Sequence, residues 1–249
     1  FLMMIVGGAV KAGVMPLHSW LPSAMVAPTP VSALLHAVAV VKAGAFCVLR
    51  VVCSVFGPQL SIAVGGAKLL AWAAALTIIV SSFIALRKDN LKARLAFSTV
   101  GQLSYIVMGI CVCAQASIAG ALFHMAAHAF LKITLFMCAG AIFVTTGLSE
   151  ISSMGGLARR MPVTRTCFAI ASLGIAGLPL MAGFVSKFNL IRGILAMGQP
   201  FFAVVLVAAA LLSLSYPLPV VQIVFAKCAG ADGGPLLPAA DSHGHTYPV

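Results

Sequence analysis

The chain has 249 residues, of which 62% are hydrophobic and 8% are charged, and its formal net charge is +11. So few charged side chains could not cover the surface of a water-soluble domain of this size. The basic residues are spread along the chain and form no single polar domain, so we expect no nucleic-acid partner. The composition predicts an all-α, polytopic transmembrane bundle that lies in the cell (inner or cytoplasmic) membrane, with the lipid bilayer around it.

Seven apolar segments predict about seven membrane helices, because most of them exceed the roughly 20 residues that cross a bilayer. In chain order they cover residues 1–15, 30–54, 61–86, 92–115, 117–143, 167–194 and 200–226. Pro16 opens a stretch with three prolines over residues 16–29, and Pro179 interrupts the sixth segment. We therefore expect two Pro-broken helices, whose irregular backbone must be buried in protein or line a cavity.

Both ends of the sequence suggest that more protein surrounds it. The chain begins inside a hydrophobic run with no features of a signal peptide. Residues 227–249 form a polar tail rich in Gly and Pro. We expect a fragment or one part of a split subunit.

Positive charge predicts the orientation of the helices. Two connections are basic, residues 87–94 and residues 159–165, while the connections near residues 55–60, 115–117 and 196–200 hold no charge. The two basic connections are therefore expected on one side, together with Lys227, and the positive-inside rule makes that side cytoplasmic.

Four lysines lie within apolar stretches that contain no carboxylate: Lys11, Lys42, Lys132 and Lys187. A lysine at the centre of a bilayer costs about 2.5–3.5 kcal/mol on insertion scales. Ionisable residues at that depth are by default candidates for an ion or proton path. Lys42 and Lys132 are predicted near mid-membrane, whereas the depths of Lys11 and Lys187 depend on the nearby helix breaks.

The sharpest candidate is a stripe on the fifth segment. Successive steps of four residues drift by only about 40° around a helix, so His124, His128 and Lys132 share one face. Histidine titrates near neutral pH, which makes this stripe a plausible proton wire. On the second segment, His36 and Lys42 are separated by about 240° on a straight helix and would contact different neighbours.

Other interpretations of these residues are weaker. A zinc site at His124 and His128 lacks a third ligand, and we expect no metal and no cofactor. A structural subunit that binds lipid headgroups would carry its lysines at helix ends. A retinal-type Schiff base would need a buried carboxylate. The seven cysteines are interpreted as buried thiols.

Five motifs, spread over residues 8–188, resemble one known family. They are KAGVMPLHSWLPSAMVAPTPVSALLHAVAVVKAG, DNLKARLAFSTVGQLSY, HMAAHAFLKITLF, MGGLARRMP and AGLPLMAGFVSKF. Together they are similar to the antiporter-like subunits of respiratory complex I, of Mrp-type cation/proton antiporters and of membrane-bound hydrogenases. This family is built from two inverted five-helix repeats. The resemblance implies that residues 1–60 hold the last helices of a first repeat and residues 61–226 a second, five-helix repeat.

The resemblance also assigns roles to the candidate residues. Lys11 matches the central lysine of the first half-channel, and His36 and Lys42 match connecting positions. His124, His128 and Lys132 match the central axis of the second half, and Lys187 matches its terminal ionisable residue. The family pairs its first-half lysine with a glutamate on an earlier helix. That helix is absent here, so an upstream segment or another subunit is expected to supply the carboxylate.

Residues and resemblance together predict a transport subunit with no active site of its own. We expect it to pass protons along buried Lys and His side chains within a redox-driven, complex I-related assembly of several membrane subunits. The alternative is a subunit of a Mrp-type sodium/proton antiporter, or of another non-redox assembly such as a CO2-uptake complex. Because sodium sites favour oxygen ligands and the apolar segments contain no acid, protons are the preferred cargo.

Overall fold

The computed structural model describes residues 1–154 and 161–215 of the chain. Within these residues the chain forms α-helices, short 3₁₀ turns and one π-helical turn, and no β-strand. The α-helices are α1 Leu2–Ala12, α2 Trp20–Ser23, α3 Thr29–Ala37, α4 Val40–Arg50, α5 Pro58–Ala63, α6 Gly66–Arg87, α7 Leu91–Cys111, α8 Gln115–Thr146, α9 Pro162–Ala176, α10 Ala182–Ala196 and α11 Pro200–Ser215.

Four helical runs of the described chain are long and apolar enough to cross a membrane. They are Thr29–Val55, Gly66–Arg87, Leu91–Cys111 and Gln115–Thr146. The prediction of an all-α, polytopic membrane bundle is thereby confirmed. Helix α7 lies at the centre of the bundle, since 94% of its most apolar stretch is buried. The outer helices instead expose large apolar side chains such as Leu76 and Phe130, as surfaces that face lipid do.

Both proline-associated breaks are present. Helix α1 ends at Gly13, which adopts φ 73°, three residues before Pro16. Helix α9 ends at Gly177 with φ 89°, and α10 begins only at Ala182, beyond Pro179. The sixth predicted segment is therefore two half-helices of 15 residues each.

The prediction for the second segment was wrong in one respect, because this segment is not a continuous helix over residues 30–54. The amide of Ala39 donates to the carbonyl of Leu34, five residues back, and a break at Val38 and Ala39 separates α3 from α4. An i→i−5 hydrogen bond inserts one extra residue into the turn. The break lies between His36 and Lys42, so the straight-helix angle between them does not apply.

The other boundaries differ by smaller amounts. The third segment begins as the separate α5, since Gly65 adopts φ 75° before α6. The helix of the fourth segment ends at Cys111, two residues before Cys113, which adopts a positive φ. Residues 216–226 of the seventh segment, the tail 227–249, and the basic residues Arg159, Arg160 and Lys227 lie outside the described residues.

The connections that follow α6 and α8 meet at one end of the bundle. The amide of Leu91 donates to the carbonyl of Ser149, and that of Ile151 donates to the carbonyl of Asp89. The Ser152 hydroxyl donates to the Asp89 carboxylate at 2.6 Å. We name these contacts between residues 89–91 and 149–152 the loop clasp. They place the α6–α7 connection and the start of the α8–α9 connection on the same side.

Arg94 has a structural role within the first basic connection. Its side chain is buried, and its Nε donates to the carbonyl of Lys88 at 2.8 Å, just beyond the last turn of α6. Carbonyls at the end of a helix lack intrahelical donors, and a guanidinium satisfies them. Arg94 therefore caps α6 in addition to contributing positive charge at this end.

Helices α8 and α10 approach closely because small residues line their contact. A Cβ added at Gly193 of α10 would meet the backbone and Cβ of Ser117 on α8. A Cβ added at Gly120 of α8 would meet the backbone of Leu190 on α10. Glycines at both positions let the two backbones pack directly, and this contact sets the position of the side chains between them.

We predict that Gly193→Ala destabilises the protein by about 1–3 kcal/mol, the usual cost of overpacking a close contact. The matched control is Gly7→Ala on α1, where an added Cβ meets nothing within 4 Å. Thermal unfolding in lipid nanodiscs would compare the two variants. Equal melting temperatures for both would show that the α8–α10 contact is looser than described.

Candidate functional site

Six of the seven predicted site residues lie inside the bundle. Their exposed fractions are His36 0%, Lys42 8%, His124 2%, His128 1%, Lys132 0% and Lys187 5%. We name these six residues the Lys–His row. Lys11 does not belong to it, because its side chain is exposed on α1 while its backbone packs against Gly44 of α4.

Lys187 occupies the break between α9 and α10. Its ammonium donates to the carbonyls of Ile175 and Ala176, each at 2.9 Å, and to the Ser213 hydroxyl of α11 at 3.2 Å. The two carbonyls belong to the last turn of α9, where the helix leaves them without intrahelical donors and its dipole is negative. At Lys187, the broken helix supplies the acceptors that satisfy the buried ammonium without an acid.

Gly177 is required at this break for two reasons. Its φ of 89° is a left-handed conformation that residues with a side chain rarely adopt. A Cβ there would also lie 3.2 Å from Cδ and 3.4 Å from Nζ of Lys187. The glycine therefore ends α9 and leaves the volume that the lysine side chain fills.

His124 bonds through both ring nitrogens to neighbouring helices. Nδ1 lies 2.8 Å from the Ser186 hydroxyl of α10, and Nε2 lies 3.0 Å from Oε1 of Gln102 on α7. The Tyr105 ring lies 6.0 Å from the His124 ring and 5.4 Å from the ammonium of Lys187. The Tyr105 ring therefore lies between His124 and Lys187.

His128 continues the row one helical turn further along α8. Its ring lies 6.0 Å from that of His124. Both ring nitrogens are buried and have no hydrogen-bond partner among the described residues. Lys42 and Lys132 each lie within electrostatic range of the ring. His128 therefore lies between His124 and the two lysines in the row.

The two lysines beside His128 are held by neutral oxygens. The ammonium of Lys132 donates to the Leu95 carbonyl at 2.9 Å and to the Ser98 hydroxyl at 2.7 Å, both on α7. Lys42 reaches from α4 to the carbonyl of Met125 on α8. The helices described here contain no Asp or Glu, so no carboxylate from these helices compensates the lysines.

His36 lies at the other end of the row, on α3. Its Nδ1 is 3.0 Å from the Ser32 carbonyl and its Nε2 is 3.0 Å from the Leu21 carbonyl. A carbonyl oxygen only accepts hydrogen bonds, so only the doubly protonated ring can donate to both. A neutral ring donates to only one of the two carbonyls at a time, and the ring interacts electrostatically with Lys132.

The neutral polar partners of the row were not predicted from the sequence. Ser98, Gln102 and Tyr105 follow each other at spacings of four and three residues on α7, which places them on one helix face. This polar stripe within an apolar helix was a usable signal. Ser186 and Ser213 gave no such signal, because the hydroxyl of an isolated serine in an apolar helix usually forms a hydrogen bond with the backbone of its own helix.

The cysteines follow the prediction of buried thiols only in part. Cys111 and Cys138 are buried, Cys53 and Cys113 are half-buried, and Cys47 and Cys167 are exposed. Cys228 lies outside the described residues. The prediction was wrong for Cys47 and Cys167, because each occupies a helix face directed away from the bundle. In the turn after α7, burial raises the pKa of the Cys113 thiol to about 11.

The fold and the row define a polytopic membrane protein with buried titratable groups, and comparison with known proteins places it further. Residues 1–213 match the model of the family described as NADH:quinone oxidoreductase/Mrp antiporter, transmembrane. The chain belongs to this family of antiporter-like membrane subunits. This confirms the resemblance drawn from the five motifs.

Individual relatives agree with this placement. The chain is 36% identical, over 231 residues, to NADH-quinone oxidoreductase subunit N of Desulforudis audaxviator; the match covers 91% of this chain and 45% of the relative. An archaeal membrane-bound sulfane sulfur reductase is similar with a TM-score of 0.85 and 29% identity, over 97% of this chain and 49% of that chain. The Mrp complex of Dietzia sp. is similar with a TM-score of 0.78 and 31% identity, over 90% of this chain and 27% of that chain. The chain spans less than half the length of these relatives.

We predict that Ser98→Ala lowers the free energy of unfolding by about 1–3 kcal/mol, because it removes one of the two oxygens that accept from buried Lys132. The matched control is Ser104→Ala on the same helix. The Ser104 hydroxyl donates to the Val100 carbonyl of its own helix, so its loss should cost less. Chemical denaturation in nanodiscs would measure both, and a larger loss for Ser104→Ala would contradict the assigned role of Ser98.

Proposed function

We propose that the chain is a proton-transfer subunit, in which the Lys–His row carries protons through the interior of a larger membrane assembly. The observation that carries this proposal is the continuity of the row. From Lys187 it passes through His124 and His128 to Lys42 and Lys132, and it ends at His36. Buried ionisable side chains at membrane depth are expensive, and a purely structural role leaves the presence of six unexplained.

The chemistry of the row favours protons over metal cations. All six side chains offer nitrogen atoms that gain or lose a proton, whereas sodium prefers oxygen ligands. The carbonyl and hydroxyl oxygens near the row already accept hydrogen bonds from the lysines.

Electrostatic repulsion within the row couples each site to its neighbours. Like charges a few ångströms apart disfavour one another when solvent is excluded, so few of the six sites can be charged at the same time. A proton that arrives at one site therefore promotes release from its neighbour. The row titrates as a coupled set, and a charge that enters at one end is felt at the other.

Among the described residues, no side chain forms a hydrogen bond with the His128 ring, so the row needs another link at this position. Buried polar atoms in proteins are almost always hydrogen-bonded, and water serves where no protein group does. We assign water molecules to both ring nitrogens of His128. They would connect its ring to the ammonium groups of Lys42 and Lys132, with which it interacts electrostatically.

Lys11 belongs to a different part of the proposal. Its exposed position on α1 suits a partner outside the described helices. We propose that this partner is a carboxylate on an upstream segment or a neighbouring subunit. Residues 1–60 would then complete a first repeat, and residues 61–226 would form the second. The end of the bundle with the loop clasp would face the cytoplasm, by the positive-inside rule.

The driving reaction is assigned to partner subunits of a complex I-related assembly. The match to NADH-quinone oxidoreductase subunit N supports a redox-driven assembly. A second candidate is a sodium/proton antiporter of the Mrp type, which the similarity to the Dietzia Mrp complex favours. Proteoliposomes containing the native complex separate the two, because an imposed sodium gradient drives proton movement only in the second.

Replacement of Lys132 is the central test. In the native complex reconstituted into proteoliposomes, Lys132→Ala should lower the proton-translocation rate on the order of a hundredfold, because it removes a positioned proton-transfer group. A pH-sensitive dye inside the vesicles reports the rate, and turnover of the driving reaction is recorded in parallel. The matched control is Lys68→Ala, since Lys68 is an exposed lysine on α6.

Assembly of the complex must be verified for both variants by size-exclusion chromatography. Translocation by assembled Lys132→Ala at the rate of Lys68→Ala would refute the role of the row. Loss of translocation in both variants alike would also refute it, because Lys68 lies outside the row.

A further inference from the structure

The Ser186 hydroxyl lies between two acceptors. Its oxygen is 2.8 Å from Nδ1 of His124 and 2.9 Å from the carbonyl of Gly183, one turn earlier on α10. Ser186 is fully buried, so water does not reach it from the surface. A hydroxyl has a single proton, which it can donate to only one of these two atoms at a time.

The other ring nitrogen of His124 fixes the tautomer of the neutral ring. Oε1 of Gln102 accepts, so Nε2 carries a proton. When His124 is neutral, Nδ1 has a lone pair and the Ser186 hydroxyl donates to it. When His124 is charged, Nδ1 donates to the Ser186 oxygen, and the hydroxyl proton turns to the Gly183 carbonyl. The same heavy-atom positions satisfy both states.

We infer that Ser186 is a positioning residue that reports the charge of His124 to the first turn of α10 by rotation of its hydroxyl. This inference rests on the proposed function, because it gives a structural consequence to the arrival of a proton at His124. It needs no movement of any heavy atom. The switch therefore follows each change in the charge of His124 without reorganisation of the packed helices.

The first turn of α10 is a sensitive place for such a signal. By helix register, the Gly183 carbonyl accepts from the amide of Lys187. A serine hydroxyl that donates to the same carbonyl competes with that amide and weakens its bond. Gly183 also packs directly against Gly174 and Gly177 of α9, across the break. The charge of His124 thereby bears on the segment that holds Lys187.

Several groups face His124 from the elements packed around it. Lys187 of α10 and Lys42 of α4 interact with it electrostatically, and His128 follows it on α8. Gln102 and Tyr105 face it from α7. Ser186 links the ring to the backbone of α10 through hydrogen bonds.

Nitrogen-15 NMR of the histidine-labelled native complex in liposomes tests the switch. The His124 signals are assigned by their loss in His124→Gln. In the wild type, neutral His124 should be the Nε2–H tautomer, with Nδ1 shifted by the hydrogen bond from Ser186. Ser186→Ala should move the Nδ1 signal to that of an unbonded lone pair, and Ser104→Ala should leave it unchanged. A neutral ring protonated at Nδ1 would overturn the inference.

Proton translocation by the same samples gives an independent readout. Ser186→Ala should slow translocation about tenfold, the effect of one hydrogen bond on a rate, while Ser186→Thr retains the hydroxyl and most of the rate. If His124→Gln translocates like the wild type, the proposed function fails. If His124→Gln loses translocation while Ser186→Ala changes neither the rate nor the Nδ1 signal, only the switch fails.

Discussion

The bond between a lysine ammonium and a backbone carbonyl is the interaction on which this bundle depends. The described helices provide no carboxylate, yet Lys42, Lys132 and Lys187 are all buried. Each of them donates to at least one main-chain carbonyl. A carbonyl compensates a buried cation less completely than a carboxylate does, because it carries a partial charge and not a full one. The ammonium groups are therefore held in place without being fixed in the charged state, as the proposed proton exchange requires.

The interrupted helices follow from the same requirement. A continuous helix uses nearly all of its carbonyls internally and has few to offer a cation. The break at Gly177 frees two carbonyls for Lys187, and the chain before α3 provides the Leu21 carbonyl for His36. Both ends of the Lys–His row thus lie where the regular backbone stops. Irregular backbone at membrane depth is tolerated when it is buried in protein, and here it also provides the acceptors.

Much of this arrangement could be predicted from the sequence, for identifiable reasons. Apolar length indicated the helices, and a step of four residues placed His124, His128 and Lys132 on one face. Proline and glycine marked the breaks near Pro16 and Pro179. The break at Val38 and Ala39 could not be predicted, because no proline or glycine lies there and the interruption arises from a single displaced hydrogen bond. The exposure of Lys11 was equally hidden, since helix periodicity does not say which face meets its neighbours. The roles of Ser186 and Ser213 depend on contacts between helices distant in sequence.

The loop clasp has a mechanical consequence. Hydrogen bonds between residues 89–91 and 149–152 join two connections at one end of the bundle, and Arg94 locks the end of α6 beside them. The connections at the opposite end, around Gly57, Cys113 and Gly198, contain residues with positive φ and no charged side chain. At the clasped end, the ends of α6, α7 and α8 are therefore tied together by hydrogen bonds that would have to break before these helix ends could separate.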